Sequence, residues 1–170
     1  MVGNDHRRGR IAGALLVGMA LTASACSSST DLASACGGVD VEAMSAAANA
    51  VVESENNSDL PSTLDAVANL LEVSATQLGP VAEAAAANTG NESLNQFEPE
   101  ARRAASDLQR LAGDVRNGQS LDDATTAMAE MFAGLEETLG AGVFSGESGD
   151  LLATVPECAA LDTELSELLG

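Results

Sequence analysis

The 170-residue chain contains no lysine, tyrosine or tryptophan, and its one histidine, His6, lies among the first ten residues. Each absence removes a class of chemistry. Beyond residue 6 there is no imidazole or ammonium to take a serine proton, which excludes Ser-His-Asp and Ser-Lys hydrolysis from the body of the chain. Zinc, copper and iron centres built on imidazole are excluded for the same reason. Phe97, Phe132 and Phe144 are the only aromatics, too few for the stacking platforms of a sugar-cleaving cleft. Alternating runs of β-branched and aromatic residues are also missing, so the strand signal is nearly nil. Positive charge is scarce. Seven Arg stand against 26 carboxylates, and the formal charge is −19. A surface so acidic repels nucleic acid phosphates and anionic headgroups, which argues against nucleic acid binding and electrostatic membrane adsorption.

What is present begins at the N-terminus. His6, Arg7, Arg8 and Arg10 precede the apolar run Ile11–Leu21, which is followed by the small residues Thr22-Ala23-Ser24-Ala25 and then Cys26. This is the architecture of a secretory signal peptide. The apolar run falls short of the about 20 helical residues that span a bilayer. Its end in Ala-Ser-Ala-Cys resembles the lipobox of bacterial lipoproteins, although the third position before the cysteine is Ala23 where that family has Leu. The resemblance covers residues 1–26 only. It implies that Cys26 is diacylated (a palmitate-type modification), that the chain is cut just before it, and that the product is held on the outer face of the cell membrane. An ordinary secretory cut after Ala25, giving a secreted protein, is the alternative. From Cys26 onward four Arg face 25 carboxylates, a formal charge of −21.

The remaining cysteines, Cys36 and Cys158, form an even pair in an oxidising compartment, and a disulfide between them is expected; two separate buried thiols are the alternative. Ser27–Ala35 reads as a small, polar tether. After Cys36-Gly37-Gly38 the periodicity is helical. Asp40 is a candidate N-cap for a stripe of Val41, Met44, Ala48, Val51 and Val52. Leu64, Val67, Leu71, Ala75, Leu78, Ala82 and Ala85 form a second stripe, which stays in phase across Gly79-Pro80 and favours a kinked single helix over two. Phe97, Ala101, Ala104, Ala105, Leu108, Leu111, Ala112 and Val115 form a third, opened by Pro99. Leu121, Ala124, Met128, Met131, Phe132, Leu135 and Leu139 form a fourth, preceded by a loose capping box of Ser120 and Asp123. Glycine-rich 141–150 reads as a flexible loop. A last helix with Cys158, Leu161, Leu165, Leu168 and Leu169 on one face is introduced by a capping box from Thr154 to Glu157. The expected fold is all-α, an antiparallel bundle of four to five helices with one disulfide. The expected organisation is a signal peptide over 1–25, lipidated cysteine and tether over 26–36, and a helical domain over 37–170.

Candidate chemistry is thin. Gly146-Glu147-Ser148-Gly149-Asp150 approaches a nucleophile elbow but lacks its last Gly and a preceding strand. Asp122/Asp123 and Glu136/Glu137 are sequence neighbours that diverge on a helix, while Glu164 and Glu167 share a solvated face. No calcium-loop pattern occurs. The one charge anomaly is Arg102, Arg103, Arg110 and Arg116, the only cations after residue 26, all on the third helix. They read either as a solvated face with the pairs Glu98–Arg102, Arg103–Asp107 and Arg110–Asp114, or as a docking patch for a carboxylate- or phosphate-bearing partner. No catalytic, cofactor or metal residues are expected. The expected role is non-catalytic: an envelope interaction module with a protein or cell-wall partner. A small-ligand carrier is the alternative, and a carboxylate hydrolase is more remote. An enclosed pocket would favour the carrier; an open apolar groove would favour the interaction module.

Overall fold

The structure, a computed structural model, describes residues 31–57, 59–139 and 146–169, with side chains left out over 131–139 and 168–169. It is all-α, with no strand among the described residues. The helices are α1 (31–37), α2 (Val41–Asn56), α3 (Leu60–Thr89), α4 (Phe97–Arg116), α5 (Leu121–Leu139), α6 (Gly146–Leu152) and α7 (Pro156–Leu169), with a 3-10 turn over Glu92–Gln96. Among the described residues seven helices appear where four to five were expected.

The additional two arise where composition misled. Asp31–Ala35, read as tether, belongs to α1, and its Leu32 is only 1% exposed. The folded body therefore starts earlier than residue 37. The helical signal there was one pair, Leu32 and Cys36 at i,i+4, lost among Ser and Ala. Part of the expected 141–150 loop is α6, whose Ser148 and Leu152, again i,i+4, are buried. Packing overrides the low helix propensity of Gly146 and Gly149. Residues 141–145 of that loop lie outside the described residues.

The centre of the fold is α3, whose 30 residues make a rod about 45 Å long. It runs unbroken through Gly79-Pro80, so the single-helix reading is the one observed. Pro80 has no N–H for the Thr76 carbonyl. Gly79 matters for another reason: a Cβ there would lie 2.8 Å from Glu98 Oε2 and 3.3 Å from Glu98 Cβ, so its bare backbone lets the start of α4 come close. The left-handed Gly90 (φ 72°) ends α3, its N–H bonded to the Ala86 carbonyl at 2.8 Å.

Two apolar clusters form along α3. In one, Leu64 and Ala68 of α3 meet Ala105, Leu108, Leu111 and Ala112 of α4 and Ala124 of α5. In the other, Leu78, Val81, Ala82, Ala85 and Ala86 meet Leu32 and Cys36, Met44, Leu94, Leu152, Val155, and Cys158, Leu161 and Leu165. Many of the fully enclosed positions are alanines: Ala68, Ala75, Ala85, Ala101, Ala105 and Ala112 are all 0% exposed. Small side chains let the helices approach but bury little apolar area each. The disulfide compensates in the second cluster. Cys36 and Cys158 are bonded, with a Cα–Cα distance of 5.0 Å and a sequence separation of 122. Both are buried, at 3% and 0% exposed. The bond ties α1 to the first turn of α7, joining the two ends of the described chain.

The caps match expectation in two of three cases. The Asp40 carboxylate accepts from the Ala43 N–H at 2.9 Å. Ser120 Oγ accepts from the Asp123 N–H at 3.2 Å and donates to its carboxylate at 2.7 Å. Thr154 is the exception. Its hydroxyl turns back to the Leu151 carbonyl at 2.7 Å, closing α6 instead of opening α7. The third helix also starts earlier than Pro99, because the 3-10 turn feeds directly into Phe97.

Candidate interaction site

The first question is where the cations go. On α4, Arg102 reaches back to Glu98 (Nε–Oε1 2.9 Å) and across to α3, where Thr76 Oγ1 accepts from Nη2 at 3.2 Å and Glu72 lies at 3.8 Å. Arg116, four turns on, pairs with Asp65 of α3. That carboxylate raises the Arg116 pKa above its ordinary value, first through the hydrogen bond and then through its charge. These two arginines fasten α4 to α3. Arg110 pairs with Asp107 at 2.9 Å, an i,i+3 contact in place of the expected one with Asp114. Arg103 is exposed and, among the described residues, has no carboxylate within salt-bridge distance. The helical repeat sets Arg103 and Arg110 on a different side of α4 from Arg102 and Arg116. The structure thus divides the four into two pairs.

The expected reactive groups are scattered. Ser148 is 3% exposed within α6, not on a loop. Asp122 and Asp123 are exposed in the first turn of α5, the second engaged in its cap. Cys26 lies outside the described residues, as do the side chains of Glu136, Glu137, Met131, Phe132 and Phe144. Phe97 and Met128 are half-buried against the two clusters. Among the described residues only Ser54 and Ser148 are buried polar side chains, so no carboxylate there is held away from water. No group of three or more potential metal ligands occurs among them either. Nor is any of their helices long and apolar enough to cross a membrane.

One concave feature among the described residues is one the sequence did not suggest. A cleft of about 510 Å³, open to solvent, runs between α2 and α7. Val41, Glu42, Ser45, Ala48, Asn49 and Val52 line it from α2, and Glu164 and Glu167 from α7. It exists because α2 is rolled relative to its expected stripe. The inward face is Met44, Ala47 and Ser54, which leaves Val41 and Ala48 half-buried and Val52 57% exposed. The signal was ambiguous: Ala43, Ala46, Ala47 and Ala50 lie on one side of this helix and Val41, Ala48 and Val52 on another, so periodicity marks no single inward face. Glu164 and Glu167 share a face of α7 as expected, and that face forms one wall of the cleft. No protein-family model, curated protein or solved structure matches this chain.

Proposed function

We propose that this protein is an exported lipoprotein of the cell envelope, held on the outer face of the membrane by acylated Cys26, and that its helical domain is a non-catalytic interaction module. On this reading the long helices α2 to α5, with α7, serve as the antiparallel bundle of four to five helices that carries the binding surface. The observation that supports it most is the form of the α2–α7 cleft: open and floored by small apolar side chains, not an enclosed chamber for a small ligand. The lack of imidazole and ammonium beyond residue 6 argues on the same side, against catalysis.

The short leash agrees with anchoring. Between Cys26 and Asp31, the first described residue, lie only Ser27–Thr30. Fully extended, such a segment reaches at most about 18 Å. An anchored domain would sit against the bilayer, its first helix locked to α7 by the disulfide. Intact-mass analysis of membrane and soluble fractions tests the anchor. Wild-type chain should start at Cys26, carry acyl mass and pellet with membranes, whereas Cys26→Ser should lose the acyl mass and leave the membrane. A wild-type product without acyl mass, found in the culture fluid, would overturn the anchoring.

A further inference from the structure

We infer that the α2–α7 cleft is a docking groove for a basic amphipathic helical segment of a partner protein; this rests on the interaction-module reading above and names the partner's chemistry. The floor comes from Val41, Ala48 and Val52, at i, i+7 and i+11, which share one face of α2. They span about 16 Å, three turns of helix. Val52 is 57% exposed, one of two large apolar side chains so exposed among the described residues. A lone exposed valine is ordinary. Here it continues the floor of a cleft, and apolar side chains from an incoming helix would cover it, the helix-in-groove mode of recognition.

The rim decides the sign of the partner. Glu42 stands on one side, and Glu164 and Glu167 on the other. Neither α2 nor α7 contains a basic residue. Among the described residues the arginines are all on α4, and none of them lies within salt-bridge distance of Glu42, Glu164 or Glu167. Among the described residues the rim carboxylates therefore have no counter-ion to displace. Lys or Arg flanking an apolar stripe would set their charges on this rim and lay their aliphatic stems over the valines. Anionic lipid, by contrast, would be repelled.

The test uses residues 26–170 carrying Cys26→Ser, with the disulfide intact. The probe is a fluorescein-labelled 14-residue helical peptide with a leucine stripe flanked by lysines, and anisotropy reads its binding. The controls are a scrambled peptide of the same composition and a leucine–glutamate version. Expected results are saturable binding of the ordered peptide, about tenfold weaker binding of the scrambled one, and none of the acidic one. Glu164→Gln/Glu167→Gln should weaken binding about tenfold, and Glu147→Gln/Asp150→Asn on α6 should not. Val52→Asp separates the two contributions. It adds negative charge, so purely electrostatic attraction would strengthen, whereas a groove that needs its apolar floor would bind more weakly. Equal binding of ordered and scrambled peptides, no saturable binding, or undiminished binding by Val52→Asp would overturn the groove. In cells, a photo-crosslinker at Asn49 is compared with one at Arg103. Adducts through Arg103 alone would sink the groove and spare the interaction module, and adducts through neither would sink both.

Discussion

Removing the disulfide by Cys36→Ala/Cys158→Ala should cost this domain more than any substitution in its core. The closed loop spans 122 residues. In the chain-entropy treatment a loop of that length restricts the unfolded chain by about 5 kcal/mol at 25 °C. Domains of this size are stable by only about 5–15 kcal/mol, and an alanine-rich core places this one toward the low end. The double variant should then be marginally folded. The loss should also be uneven. Over residues 31–37 the buried side chains of α1 are Leu32 and Cys36, so without the bond this segment is retained mainly by burial of Leu32, about 1.5–3 kcal/mol. Two measurements check this. Urea unfolding followed by circular dichroism should give a stability lower by about 4–5 kcal/mol. Hydrogen exchange under native conditions should show residues 31–37 losing protection before α3 and α4 do. A loss below about 1 kcal/mol would refute the argument, since it would mean either that the unfolded chain is already restrained or that the packing around the bond suffices. Equal protection of α1 with and without the bond would refute the uneven part.

Four further outcomes follow from the geometry. Gly79→Ala should destabilise by about 1–2 kcal/mol despite the gain in helix propensity, because the new Cβ meets Glu98 Cβ at 3.3 Å and α4 must back away; pairing it with Glu98→Gly should recover most of the loss in urea unfolding. Ala105→Leu, at a fully enclosed site of the α3–α4 contact, should cost about 1–3 kcal/mol by overpacking, read as a lower melting temperature. Arg102→Met should cost no more than about 1 kcal/mol, because its carboxylate partners are exposed, and the cost should shrink as salt is added. Titration of Arg116 should leave no mark on stability at working pH. Its pKa is raised, so its contribution is fully present below the unfolded value and would be lost only at strongly alkaline pH.

Much of the fold was legible because the long helices carry apolar residues of distinct size at helical spacing. Leu64, Ala75, Leu78, Ala82 and Ala85 of α3 are buried as their stripe requires, as are Ala101, Ala105, Leu108, Leu111 and Ala112 of α4. Elements defined by two residues or by their neighbours were not legible. Leu32 and Cys36 gave too brief a pattern, and Gly146 and Gly149 concealed α6. The cleft was illegible for a different reason: it depends on how far α2 is rolled, and a helix with small or apolar residues on two sides does not fix its own roll.

The sequence alone determined that the chain is helical, acidic and without imidazole or ammonium beyond residue 6, because those properties belong to residue types and their spacing. It made a Cys36–Cys158 pair the expectation, on the reading that Cys26 carries lipid, but left two separate thiols open until the structure showed the bond. Only the tertiary structure decided that Arg102 and Arg116 clamp α4 to α3 and so leave the presumed cationic face, and that Val52 lies open beside Glu164 and Glu167. Both are relations between helices far apart in sequence. They are fixed by which small side chains let two backbones approach, and no period within one helix records that.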